Sequence, residues 1–187
     1  MKASASAAGK RSVDGLLLGV RSAIPRASFR TVEVDGLRIF YREAGPAAGP
    51  VVLLLHGFPL SSHMFRELIP RLATRYRVIA PDLPGFGFTR VPEERDYKYS
   101  FEALARTVEA VVNALGLKHY ALYVFDYGAP VGYRVAVAHP ERVTAIVSQN
   151  GNAYEEGLGD WWAPISALLV DAKRREPRGG PAKHFDL

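Results

Sequence analysis

A run of five apolar residues constrains the fold of this 187-residue chain more than any other feature. Residues Val51–Leu55 read Val-Val-Leu-Leu-Leu, with no polar position to face water. The run is far too short for a membrane span, but it has the length of a β-strand. A strand that is apolar on both faces is typical of a parallel sheet lying between two layers of helices. The run therefore predicts the central strand of an α/β fold.

The order of the surrounding patterns predicts a mostly parallel sheet that begins with a β-hairpin. Residues 31–34 and 37–41 alternate between polar and apolar side chains on either side of the turn Asp35-Gly36. Strand and helix patterns then alternate along the chain, which places helices on both faces of the sheet. Further strands are expected at residues 76–80, 119–125 and 143–148, and helices at residues 65–72, 101–115 and 130–138.

Composition divides the chain into four segments. Residues 1–30 are basic and rich in Ser and Ala, which predicts a disordered extension. Residues 31–151 carry the strand–helix pattern and form the expected core. The alternation of strand and helix patterns stops in residues 152–170, and residues 171–187 form a polar tail without apolar periodicity.

The charge distribution argues against a nucleic-acid partner. The net charge is +5, but residues 1–30 alone hold six basic residues against one acidic residue, and the rest of the chain holds 18 of each. The expected core therefore has no basic excess with which to bind phosphates. No membrane association, cofactor or metal site is expected, and the absence of cysteine excludes a thiol nucleophile. We expect a cytoplasmic protein, although the leader-like composition of residues 1–30 leaves organelle targeting open.

Three loops that follow strands carry the candidate chemistry, and the carboxyl ends of parallel strands meet at one edge of a sheet. The most informative loop places Asp126 between a strand and a helix, followed by Tyr127 and Gly128. This context is typical of a nucleophile elbow, in which one reactive side chain is held on a sharp turn. The alternative is that Asp126 is an ordinary helix N-cap.

The loop His56-Gly-Phe-Pro favours the elbow interpretation. The backbone amides of Phe58 and Tyr127 could converge on one oxygen and form an oxyanion hole. We interpret His56 as a residue that shapes this loop, and Gly57 and Gly128 as small residues that permit close approach. The third loop, residues 82–87, contains Gly-x-Gly without a third glycine, so we interpret it as a structural turn.

Taken in order, the motifs His-Gly-Phe-Pro, Asp-Leu-Pro-Gly-Phe-Gly and Val-Phe-Asp-Tyr-Gly resemble those of the α/β-hydrolase fold family. The Asp at the elbow is similar to the branch of epoxide hydrolases and haloalkane dehalogenases. The resemblance implies that Asp126 attacks a saturated carbon of a small molecule and forms an alkyl-enzyme ester. A serine esterase is disfavoured because Gly-x-Ser-x-Gly does not occur.

Two positions depart from the pattern of that branch. Many members carry Trp where Tyr127 stands, and dehalogenases often carry Asn where Phe58 stands, both to hold a halide. The resemblance therefore favours an epoxide over a halogenated substrate. It also implies that residues 152–170 begin a helical cap, in which Trp161 and Trp162 are candidates for lining the pocket.

The resemblance further places an orienting acid and a catalytic histidine after two more strands, which this sequence does not contain. We therefore expect an incomplete fold, without the last strands and most of the cap, that cannot complete turnover. The alternative is a non-catalytic half-domain that binds a partner. Either way, the strand at residues 143–148 would expose an apolar edge that invites self-association.

Overall fold

A computed structural model describes residues 25–154 together with Gly157, Gly159 and Trp162. Most of the predicted N-terminal extension, Trp161 and the predicted polar tail lie outside the described residues.

The described residues form a six-stranded sheet in the order β1-β2-β4-β3-β5-β6. β1 pairs antiparallel with β2, and β2 pairs antiparallel with β4. The other neighbours, β4-β3, β3-β5 and β5-β6, are parallel. The strands are β1 Ser28–Val34, β2 Leu37–Ala44, β3 Val51–Leu55, β4 Arg77–Pro81, β5 Tyr120–Phe125 and β6 Val143–Gln149. The predicted α/β class, with a hairpin followed by a parallel sheet, is confirmed.

Helices cover both faces of this sheet. The described helices are α1 Leu68–Leu72, α2 Phe101–Ala114 and α3 Gly128–Ala138, with 3-10 turns at Ser62–Phe65 and Pro140–Arg142. Leu53 and Leu55 of β3 are fully buried in the apolar cluster that α2 and α3 cover. Leu54 points to the opposite face and packs with Phe65 and Ile69. The side chains of Leu53, Leu54 and Leu55 are therefore all buried, as the apolar composition of the strand predicts.

The turn and cap signals of the sequence are present in the structure. Asp35 and Gly36 have φ values of 50° and 74°, as a tight two-residue hairpin requires. The Ser100 hydroxyl accepts a hydrogen bond from the Ala103 amide at 3.2 Å and caps α2. Gly116, with a φ of 64°, follows the end of that helix.

The first crossover is broken within the helix predicted over residues 65–72, in keeping with the prediction that Pro70 kinks or shortens it. The chain forms a 3-10 turn from Ser62 and then a separate short helix from Leu68. Pro70 explains the break, because a proline has no amide hydrogen and would disrupt a continuous helix at that point. Pro70 lies in the first turn of α1, where backbone amides have no partner within the helix, so its missing amide hydrogen is tolerated.

Strand β6 is the outer edge of the described sheet. It pairs with β5 on one side, and Ile146 and Val147 are 44% and 52% exposed. Such an edge offers unpaired backbone groups and apolar side chains to another chain. No helix within residues 25–154 has the length and apolar character needed to cross a lipid bilayer.

We expect the chain to self-associate through β6 in a concentration-dependent manner. The Val147→Lys variant should shift the sedimentation velocity profile towards monomer, because a charged side chain on an edge strand opposes pairing. Val137→Lys is the matched control, since Val137 is 82% exposed but lies on α3. Equal sedimentation of the parent chain and both variants would contradict self-association through this edge.

Candidate active site

Asp126 lies on a sharp turn between β5, which ends at Phe125, and α3, which begins at Gly128. Its φ of 49° is in the left-handed region that residues other than glycine rarely adopt. Such a conformation costs on the order of 1–3 kcal/mol and persists only where the surrounding structure imposes it. The backbone thus holds this carboxylate in one place at the carboxyl edge of the sheet.

Two glycines allow the turn at Asp126 to lie close to β3 and to the loop that follows β3. A Cβ atom added at Gly128 would lie 2.2 Å from the Leu55 carbonyl oxygen, so α3 begins directly against β3. A Cβ atom added at Gly57 would lie 2.4 Å from the Asp126 Cβ. Any side chain at either position would push the loop after β3 away from the elbow.

One oxygen of the Asp126 carboxylate is held by two backbone amides. Asp126 Oδ1 accepts a hydrogen bond from the Phe58 amide at 2.8 Å and from the Tyr127 amide at 2.6 Å. The two donors come from separate crossings of the sheet and meet at a single atom. These two hydrogen bonds fix Oδ1 and with it the orientation of the whole carboxylate.

His56 joins two of the loops at this edge. Its Nε2 accepts a hydrogen bond from the Leu83 amide at 3.0 Å, and its Nδ1 lies 3.0 Å from the Gly57 carbonyl oxygen, to which it donates in the matching tautomer. Burial lowers the pKa of His56, and the charges of Asp82 and Asp126 oppose that shift. Both nitrogens of this neutral, buried ring are hydrogen-bonded, so His56 links the two loops beside the carboxylate.

Asp82 organises the third loop, a role that sequence reasoning missed. Its carboxylate is fully buried, and its two oxygens accept hydrogen bonds from the Ser62 and Phe88 amides, each at 2.8 Å. Gly87 adopts a φ of 56°, and a Cβ there would lie 1.9 Å from Asp82 Oδ2. An Asp directly after a strand in a Gly- and Pro-rich loop was the available signal.

Aromatic rings surround the elbow. The ring centroids of Phe58 and Tyr127 are 5.5 Å apart, and Tyr127 meets Phe101 edge-on at 5.1 Å. Phe86 lies 6.2 Å from Phe58 and 5.3 Å from His56, both edge-on. Burial, and to a lesser extent the charge of Asp126, raises the pKa of the Tyr127 hydroxyl.

None of the histidines in residues 25–154 is hydrogen-bonded to Asp126. His119 precedes β5 and therefore lies at the opposite end of the strand from Asp126. His139 follows α3, and its Nδ1 lies 3.7 Å from a Glu141 carboxylate oxygen. In the same described part of the chain, no group of three or more His, Asp or Glu side chains is arranged to hold a metal ion.

The sheet order and the strand–turn–helix elbow are those of the α/β hydrolase fold. A family model described as the alpha/beta hydrolase fold matches residues 50–185, and the chain belongs to that family. It is 55% identical over 141 residues to an uncharacterized hydrolase from Saccharomyces cerevisiae, covering 74% of this chain and 48% of that protein. It is 37% identical over 136 residues to a haloalkane dehalogenase from Mycobacterium marinum, covering 72% and 46%.

Solved structures give the same result. An epoxide hydrolase from Vigna radiata matches with a TM-score of 0.65 and 34% identity, over 78% of this chain and 46% of that one. A haloalkane dehalogenase from Bradyrhizobium elkani matches with a TM-score of 0.63 and 31% identity, over 67% and 42%. The chain thus spans about half the length of the curated relatives it matches. The predicted resemblance to this branch is confirmed.

We expect buried His56 to make stability depend on pH. Because burial lowers its pKa in the folded state, the unfolded chain takes up this proton first as pH falls below about 6.5. The free energy of unfolding should therefore decrease from pH 7 towards pH 5.5. Urea titrations of the parent chain and of His56→Gln, which has no proton to gain there, should differ in this slope.

Imidazole NMR signals give a direct reading of the same group. The titration midpoint of His56 should lie below the ordinary value of about 6.5. A midpoint at or above that value would contradict a neutral, buried ring.

Proposed function

We propose that Asp126 is a nucleophile that forms an alkyl-enzyme ester with an epoxide or a halogenated small molecule. The observation that carries the proposal is the pair of backbone amides that hold one oxygen of its carboxylate. Oδ1 is fixed by the Phe58 and Tyr127 amides, so in this proposal Oδ2 is the oxygen that attacks. The strained turn directs the carboxylate to the sheet edge where α/β proteins bind ligands. The relatives include epoxide hydrolases and haloalkane dehalogenases.

A carboxylate suits attack on a saturated carbon. Aspartate is ordinarily ionised at neutral pH, whereas serine needs a neighbouring base before it can attack. With an alkyl halide, the bond from Oδ2 to carbon forms as the carbon–halogen bond breaks and halide leaves. With an epoxide, a ring carbon–oxygen bond breaks and the released oxygen takes a proton from water. We favour the epoxide because the side chains of Phe58 and Tyr127 offer no N–H group to a halide.

Release of the product needs a second step. Water attacks the Cγ carbon of the ester, and negative charge develops on Oδ1, where the Phe58 and Tyr127 amides already lie within 2.8 Å. That step requires a base to activate the water; within residues 25–154, His56 has both ring nitrogens hydrogen-bonded and His119 lies at the opposite end of β5. We therefore propose that the chain forms the ester and does not hydrolyse it efficiently.

A second candidate function is that of a half-domain that binds the remainder of the fold on another polypeptide. The apolar side chains exposed at β6 favour it. The C-terminal half of the Saccharomyces cerevisiae relative is a suitable probe. A stable stoichiometric complex after mixing would support this candidate, and two separately migrating chains would count against it.

We expect a stable mass increase on the peptide that contains Asp126 after incubation with a small terminal epoxide. Intact-mass and peptide-mapping mass spectrometry measure it. Asp126→Asn should abolish the adduct because the amide is a poor nucleophile. Asp35→Asn is the matched control, since Asp35 is an exposed Asp with a φ of 50° and lies in the hairpin turn. Absence of an adduct on folded protein, or an equal adduct on Asp126→Asn, would overturn the proposal.

The fit between Gly57 and Asp126 gives a further prediction. Gly57→Ala should slow adduct formation at least tenfold, because the new methyl group would lie 2.4 Å from the Asp126 Cβ. Gly116→Ala should lower stability by about 1 kcal/mol, because its φ is 64°, while leaving the adduct rate unchanged. Equal rates in both variants would show that the close approach is not needed.

A further inference from the structure

We infer that the Phe58 side chain gives this site a preference for electrophiles that carry an aromatic ring. The inference rests on the proposed function, because it concerns the substrate that reaches Asp126. It depends on the position, the exposure and the fixed orientation of one ring.

The Phe58 ring is tied to the nucleophile by its own backbone. The Phe58 amide lies 2.8 Å from Asp126 Oδ1, so this residue cannot move without breaking the hydrogen bond to the carboxylate. The side chain of the same residue is 55% exposed. A large apolar ring is thus presented to solvent directly beside the reactive group, where a substrate must approach.

Neighbouring rings hold Phe58 in place. Tyr127 lies 5.5 Å from Phe58 at an interplanar angle of 38°, and Phe86 meets Phe58 edge-on at 6.2 Å. Phe101 in turn packs edge-on against Tyr127 at 5.1 Å, and His56 packs edge-on against Phe86 at 5.3 Å. These contacts restrict the ring, so it loses less conformational freedom when a partner binds than an isolated side chain would.

An aromatic surface of this kind distinguishes an aryl group from a saturated ring of the same size. Both bury a similar apolar area, but only an aryl ring has the quadrupole that favours offset-stacked or edge-to-face contact. Aromatic pairs gain enough from this contact to change a rate about threefold to tenfold. The expected substrate is therefore an aryl-bearing epoxide whose ring rests on Phe58 while Oδ2 reaches the epoxide carbon.

The probes are (2-phenylethyl)oxirane and (2-cyclohexylethyl)oxirane. The ring is separated from the epoxide by the same linker in each, so that the ring does not activate the reacting carbon directly. In both probes, Oδ2 attacks the terminal epoxide carbon, the bond from that carbon to the epoxide oxygen breaks, and this oxygen takes a proton from water. An equimolar mixture is incubated with the protein, and the two adducts on the Asp126 peptide are resolved by mass. The ratio is corrected for the reaction of each probe with acetate.

The expected result is a phenyl-to-cyclohexyl adduct ratio of about 3 to 10 in the parent chain. In Phe58→Leu the ratio should fall to about one, whatever the total yield, and Phe58→Tyr should retain the preference. Phe88→Leu is the matched control: Phe88 is 63% exposed and its amide also donates to a carboxylate at 2.8 Å, but that carboxylate is Asp82. This control should keep the parent ratio.

The outcomes separate the inference from the proposed function. Adducts on Asp126 in equal amounts from both probes would overturn the aryl preference and leave the nucleophile intact. No adduct from either probe on folded protein would overturn the proposed function itself. An unchanged ratio in Phe58→Leu would overturn the assignment of the preference to Phe58.

Discussion

Two backbone hydrogen bonds to a single carboxylate oxygen organise the candidate site. The Phe58 amide belongs to the loop after β3 and the Tyr127 amide to the elbow after β5, and both donate to Asp126 Oδ1 within 2.8 Å. The contact requires neighbouring parallel strands that end at the same level and a residue without a side chain at Gly57. It also offsets the strain of the left-handed Asp126 by supplying hydrogen bonds that an extended backbone would not make.

Buried polar groups, rather than apolar packing alone, hold the loops at this edge. The neutral His56 ring connects the loop after β3 to the Leu83 amide, and the Asp82 carboxylate connects the loop after β4 to the 3-10 turn at Ser62. Arg42 from β2 adds a hydrogen bond to the Ser62 hydroxyl at 3.0 Å. Each buried group is satisfied by a specific partner, and removing one partner would leave a polar atom in an apolar setting. These hydrogen bonds therefore tie the loops at this edge to one another and to β2.

The parallel sheet is well covered where helices lie and open at β6. The side chains of β3 are enclosed by α2 and α3 on one face and by the first crossover on the other, whereas β6 exposes Ile146 and Val147. Within residues 25–154 the sheet therefore carries the elbow after β5 and ends at β6. The strand–turn–helix elbow is in keeping with membership of the α/β hydrolase family.

The sequence by itself determined the features that depend on neighbouring residues. These include the fully apolar β3, the Asp35-Gly36 hairpin turn and the Ser100 cap. It also singled out Asp126, because a strand, an acidic residue, small residues and a helix follow one another within a few positions. The sequence predicted that the Phe58 and Tyr127 amides converge on one oxygen, but only the tertiary structure identified Asp126 Oδ1 as an oxygen that both contact. Only the tertiary structure decided that Asp82 fastens the loop after β4 and that Phe58 is exposed. Those facts join residues that are far apart in the chain, and their distances are set by how the strands align and how closely the backbones approach.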